Sequence, residues 1–154
     1  MIDAMRTVDG PEGLQALVGQ HIGWSEPHVV TQEQVNTFAD ATGDHQWIHV
    51  DPERAKSGPF GGAIAHGYLT MSLLVFFLPQ VWDVTGFAMG VNYGAEKVRF
   101  PSPVPVGSKV RGGFAVDAVE EIAGGVQVTL TGTIEVVDAP KPACVAQVVY
   151  RYYV

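Results

Sequence analysis

Two periodicities divide the chain. In the first half, apolar residues recur at helical spacing. In TQEQVNTFADATG, Val35, Phe38 and Ala39 fall on one face, Thr31 and Gln34 fit a capping box, and Gly43 fits the left-handed position after a helix. Asp51-Pro52-Glu53 reads as an N-cap followed by a first-turn proline, opening a short helix that Gly58 ends. A short amphipathic stretch lies around Pro11 to Val18. The Gly-rich SGPFGGAIAHG feeds into YLTMSLLVFFL, apolar nearly all round, which predicts a helix buried on every side with Gly67 near its N-terminus.

From Phe87 onward, period two takes over. FAMGVNYGAEKVRF, SKVRGGFAVDAV, GVQVTLTGTIEVV and CVAQVVYRYYV predict four long strands, separated by PSPVPVG, EEIAG and DAPKPA, the turn chemistry of antiparallel connections. A buried helix followed by a long antiparallel meander requires the sheet to curl around the helix and cover it. The expected class is therefore α+β, in the layout of a hot dog fold. At 154 residues, with no internal repeat or linker, one domain over residues 1–154 is expected.

Composition narrows the function. With 47% hydrophobic and 16% charged residues the chain is too apolar for a disordered protein. The net charge of −7 opposes nucleic-acid binding, which rests on neutralising phosphates with Lys and Arg. An anionic ligand must find a local basic patch. The lone cysteine, Cys144, sits in an alternating run and reads as a small buried thiol. MIDAMRTVDGPEG has acids where a signal peptide needs a basic region, and the longest apolar run, Leu73 to Leu78, is too short to enter a membrane as a span. A cytoplasmic location is expected.

Against this charge-poor background, ATGDHQWIHVDPERA and the Asp40 just before it stand out, since Asp40, Asp44, Asp51, His45 and His49 lie within twelve residues. Asp44 and His49 are five apart, an offset that a helix would splay by about 140° but a loop can aim at a single water. Imidazole titrates nearest working pH, and a neighbouring carboxylate can orient it or share a water with it, so the pair suits proton transfer. The alternative makes Asp44 a turn-forming Asx residue and His49 a hydrogen-bonded histidine beneath it. A metal site would use His45 and His49 with Asp44 or Asp51, but Gly43 and Asp51-Pro52 argue for a loop, where that spacing does not put both rings on one face. No metal is expected.

Gly67, at a helix start, can offer a free amide and the positive helix end to a developing oxyanion, or can simply permit a tight helix entry. Folded as a hairpin, EKVRFPSPVPVGSKVR would set Arg99 near Lys109 and Lys97 near Arg111, a cluster suited to a nucleotide phosphate or to a solvated sheet face. No G-x-S-x-G occurs, and SGPFGGA matches neither the P-loop nor the dinucleotide fingerprint.

ATGDHQWIHVDPERA followed by GPFGGAIAHGYLTMSLL resembles the MaoC-like, (R)-specific enoyl-CoA hydratase family, in its NodN-like single-domain branch of actinobacterial type. The likeness runs from VGQHIGWSE to KVRFPSPVPVGSKVR. Gly43-Asp44-His45-Gln46-Trp47-Ile48-His49 keeps the family's Asp and His at their spacing, with Gln46 in place of Asn and Trp47 in place of Pro.

The resemblance implies Asp44 and His49 as a hydration dyad and the Gly67 amide as an oxyanion donor, with Gln46 helping to position substrate. It implies an acyl pocket touched by Trp47, Tyr68 and Met71, and CoA contacts from Lys97, Arg99, Lys109 or Arg111. It also implies a homodimer acting on an enoyl-CoA or acyl-carrier thioester, without metal or redox cofactor. The rival readings are a hot dog thioesterase, a 3-hydroxyacyl-carrier-protein dehydratase and a non-catalytic acyl-binding module.

Overall fold

The computed structural model describes residues 3–154; Met1 and Ile2, which open the acidic N-terminal stretch, lie outside the described residues. The elements run β1 (Arg6–Asp9), α1 (Gly10–Gln15), β2 (His21–Trp24), β3 (His28–Val29), α2 (Gln32–Thr42), α3 (Trp47–Val50), α4 (Pro52–Lys56), α5 (Gly67–Ser72), α6 (Leu74–Val81), β4 (Trp82–Thr85), β5 (Met89–Arg99), β6 (Lys109–Ile122), β7 (Gly125–Val136) and β8 (Pro142–Tyr153). The four long strands expected from period two are β5 to β8. The short strands β1 to β4 were not anticipated, because stretches of two to four residues carry too little alternation to register.

The main sheet has the order β2-β6-β7-β8-β5, all antiparallel, with β3 also on β6. A separate parallel pair joins β1 to β4. Along β7 the inward positions Val126, Val128, Leu130 and Ile134 are buried. They meet Leu69, Leu73, Leu74, Phe77, Leu78 and Val81 of the helical stretch in one core. Two sheet glycines let the helix approach: a Cβ at Gly112 would fall 2.7 Å from Phe77, and one at Gly132 would fall 2.8 Å from Leu74. The antiparallel sheet wrapped on a helix is a hot dog fold, α+β in class.

Two expectations are corrected. YLTMSLLVFFL is two helical segments, α5 and α6, meeting at Leu73, and it is not buried on every side, since Tyr68, Val75 and Phe76 are exposed. One sheet can cover only one face of a helix. EKVRFPSPVPVGSKVR, for its part, is not a hairpin. β5 and β6 are separated by β7 and β8, because the proline-rich segment pairs instead with residues 63–65, through Ala65 N to Val104 O at 2.9 Å and Val106 N to Ala63 O at 2.9 Å. Lys97 therefore faces Gln147 and Arg99 faces Val145 on β8, whereas Lys109 faces Val29 and Arg111 faces Glu135.

No helix among the described residues is long and apolar enough to cross a membrane.

Candidate active site

Thr31 caps α2 by accepting from the Gln34 amide at 3.1 Å, and Gly43 ends it in the left-handed conformation at φ 81°, as the sequence predicts. The Gln34 side chain does not close the capping box; its Oε1 lies 3.0 Å from His28 Nε2. The chain then turns through Asp44 to Gln46 and forms a single helical turn, α3, that carries His49. The dyad is thus half loop and half helix, not wholly loop. Asp51 then caps α4 through the Arg54 amide at 3.1 Å.

Three hydrogen bonds tie this segment to residues 64–66. The Ile64 amide donates to the Ile48 carbonyl at 3.0 Å. His49 Nδ1 donates to the Ile64 carbonyl at 2.7 Å, and His66 Nε2 donates to the Asp44 carbonyl at 3.0 Å. A carbonyl only accepts, so His49 keeps a bare lone pair on Nε2. His49 is 6% exposed, and its proton affinity is lowered, first by burial and further by the nearby His66, against the opposing pull of the Ile64 carbonyl and Asp44. Asp44 is exposed and its Oδ1 accepts from the Gln46 amide at 3.4 Å, so the Asx contact of the bland reading is present. One side-chain oxygen of Asp44 and one ring nitrogen each of His49 and His66 lie within 4.8 Å of one another.

His66 is the residue sequence reasoning missed. The sequence reading assigns it no role, although AIAHG puts an imidazole in an otherwise apolar and glycine segment, a signal that could have marked it. The Asp44, His49 and His66 trio is also the grouping best placed for a metal. However, the two imidazoles stack, with centroids 3.9 Å apart and planes at 25°. Near-parallel rings direct their lone pairs side by side, not at one point about 2.0–2.1 Å from both, the distance zinc requires. His45 does not join them; it turns outward to Asp40, 2.9 Å away.

Gly67 is the first residue of α5, where its amide has no intrahelical acceptor. It borders a cavity of about 410 Å³ walled by Phe60, Ile64, Thr70, Phe100, Pro103 and Val104, among others. A Cβ at Gly67 would sit 3.1 Å from the Phe100 ring. The expected acyl-pocket residues do not wall this cavity. Trp47 lies under the Arg54 guanidinium, 4.3 Å from its ring centroid, and packs where Gly58 lacks a side chain. Tyr68, about 100° around the helix from Gly67, is 71% exposed, and Met71 packs against the core. Gln46 precedes α3, and its side chain makes no capping bond.

Nor do the four basic residues form the expected cluster. Arg111 is neutralised by Glu135, with Nε at 2.7 Å and Nη2 at 2.6 Å from Oε1, and covers the Trp24 ring. Lys97, Arg99 and Lys109 remain exposed on two different strands. Cys144 is buried, and burial pushes its thiol up to about 11, in keeping with a structural role.

Residues 14–138 match the family described as MaoC like domain. The chain belongs to that family. It is 52% identical over 149 residues to "3-hydroxyacyl-thioester dehydratase Z" of Mycobacterium tuberculosis, covering 96% of this chain and 99% of the relative. It is 44% identical over 139 residues to "Nodulation protein N" of Rhizobium meliloti, covering 86% and 84%. Among solved structures, an (R)-hydratase from A. caviae involved in PHA biosynthesis superposes with a TM-score of 0.70 at 27% identity, over 86% of this chain and 94% of that one. The chain is an enzyme of the dehydratase and hydratase kind, a hydro-lyase.

Proposed function

We propose that the protein is an (R)-specific enoyl-thioester hydratase, adding water reversibly to a trans-2-enoyl-CoA to give the (3R)-3-hydroxyacyl-CoA. The observation that carries this reading is the buried His49, which has a bare Nε2 and one ring nitrogen within 4.8 Å of an Asp44 carboxylate oxygen and of a His66 ring nitrogen. Two acceptors converging from loop and helix can hold one water between them. Asp44 and His49, acting as a unit, take a proton from that water as its oxygen bonds to Cβ, and return a proton to Cα. The electron pair of the double bond moves toward the thioester oxygen, where the Gly67 amide and the start of α5 stabilise the charge by a few kcal/mol. Addition of water is redox-neutral, so the step calls for no redox cofactor, and in this reading its proton transfers are carried by Asp44 and His49 without a metal.

In this reading the cavity beside Gly67 takes the apolar part of the substrate, between Phe60 and Phe100. Arg99 directly precedes Phe100 and is the basic residue best placed for a CoA or carrier phosphate. β5 supports a homodimer: it is an edge strand, exposed at nearly every position, with Met89, Val91 and Tyr93 showing apolar surface. A cytoplasmic location fits a CoA substrate.

The test is loss of enoyl absorbance when the protein meets crotonyl-CoA and a longer enoyl-CoA, with free CoA and product chirality assayed. Loss of absorbance with the 3R product and no free CoA is expected. Released CoA would turn the reading to a thioesterase; turnover only on a carrier-bound enoyl group would make it a carrier-protein dehydratase; binding without turnover on either would leave an acyl-binding module.

A further inference from the structure

His66 is 2% exposed, yet the hydration chemistry above gives it no task. Its Nε2 carries the hydrogen donated to the Asp44 carbonyl, so Nδ1 is a bare lone pair, and that atom is buried with no hydrogen-bond partner among the described residues. An unpartnered buried acceptor is costly, and an apolar ring of similar size would fill the same space without that cost.

What the imidazole does supply is a tie to each member of the dyad. Asp44 is otherwise held weakly, its amide 3.4 Å from Thr42 Oγ1 and its Oδ1 3.4 Å from the Gln46 amide; the 3.0 Å bond from His66 is its shortest tether. The His66 ring stacks on His49 at 3.9 Å, and Phe38 of α2 packs against it with centroids 4.8 Å apart, so it cannot swing freely.

We propose that His66 is a positioning residue of the dyad: its Nε2–H anchors the main chain at Asp44 while its ring face sets the plane of His49, so that carboxylate and imidazole address the same water. The proposal rests on the hydratase reading for its effect on turnover, though not for its effect on His49. The titratable groups facing His66 are His49 from α3 and Asp44 from the loop before it; Phe38 from α2 is neutral, and from α5 the Thr70 hydroxyl bonds the His66 carbonyl. The nearby His66 lowers the proton affinity of His49, adding to the larger effect of burial. Removing the imidazole therefore lets His49 take up its proton at higher pH.

The experiment compares the intact protein with His66→Gln, which keeps an amide donor within reach of Asp44 but loses the ring, and His66→Phe, which keeps a ring but loses the donor. Steady-state hydration, thermal unfolding and the imidazole titration of His49 by NMR are measured on all three. Misplaced reacting groups predict kcat lower by roughly 10- to 100-fold in both variants, with KM within about threefold. In His66→Gln, both the His49 midpoint and the acid limb of kcat/KM move to higher pH.

An unmoved His49 titration, or activity within about twofold of the parent, would overturn the proposal. So would a kcat loss that only tracks a lowered melting temperature, which is the signature of plain packing. If the parent itself fails to hydrate enoyl-CoA, the hydratase reading falls, while the His49 titration in His66→Gln still decides whether His66 governs that ring. If His66→Gln does not fold, the bond to Asp44 is tested by His66→Phe, in which retained full turnover would overturn it.

Discussion

His45 and His49 lie four residues apart on one short segment, and the fold sends them to opposite environments. His45 faces water, and its proton affinity is raised, first by its hydrogen bond to Asp40. His49 faces inward, donates to the Ile64 carbonyl, and its proton affinity is lowered, first by burial. Both have a carboxylate nearby, so proximity to an acid does not separate them. What separates them is exclusion of water and a fixed tautomer: His49 presents a lone pair of known direction at neutral pH, whereas His45 is drawn toward the charged form as half of an exposed ion pair.

The sharpest way to break this comparison is to remove each side in turn. Asp44→Asn or His49→Gln is expected to lower hydration by roughly 10²–10⁴-fold, the range for general acid–base groups, while His45→Gln stays within about twofold. Steady-state kinetics on crotonyl-CoA decides it, and an equal loss in all three would place the chemistry on the outward side.

A smaller effect is expected at Gly67. The methyl of Gly67→Ala meets the Phe100 ring at 3.1 Å, so either the ring or the helix start must give. About tenfold lower kcat is expected from the misplaced amide, with recovery when Phe100→Leu is added to relieve the contact. Kinetics of the double variant that match those of Gly67→Ala alone would show that the ring is not the obstacle.

The smallest effects are in stability, and they have opposite signs. The folded-state value of His49 is depressed, so the unfolded chain binds the proton first, and the contribution from a neutral His49 is lost as pH falls below about 6.5 toward the folded value. His45 is raised, so its contribution is present below about 6.5 and is lost as pH rises through its folded value. Urea midpoints followed between about pH 5 and 8 should flatten below about pH 6.5 in His49→Gln, whereas His45→Gln should remove a fall in stability above about pH 6.5. Parallel curves for the two variants would erase the distinction.

Much of the frame was legible because its signals are local. The four long strands alternate over ten or more residues, and Thr31, Gly43 and Asp51-Pro52 mark helix ends by chemistry confined to their own turns. That Asp44 and His49 could share one site was legible from spacing and family likeness, and the two residues do come together. His66 was not, because its role depends on residues 22 and 17 positions earlier in the chain. The expected pairing of Lys97 with Arg111 failed for the same kind of reason. Alternation says that a strand exists but not which neighbour it takes, and here the proline-rich segment between β5 and β6 pairs with residues 63–65 instead of closing a hairpin.

The sequence by itself determined that an antiparallel sheet would form, that an apolar helix would lie beneath it, and that an acid and an imidazole would sit just past a helix end. Those outcomes follow from hydrophobic period, capping chemistry and turn residues, which act over a few positions. Only the tertiary structure decided which histidine lost its water, which ring nitrogen kept a free lone pair, and that Glu135 would neutralise Arg111. Solvation and hydrogen-bond partners are set by what packs against a residue from distant parts of the chain, and these in turn set proton affinity.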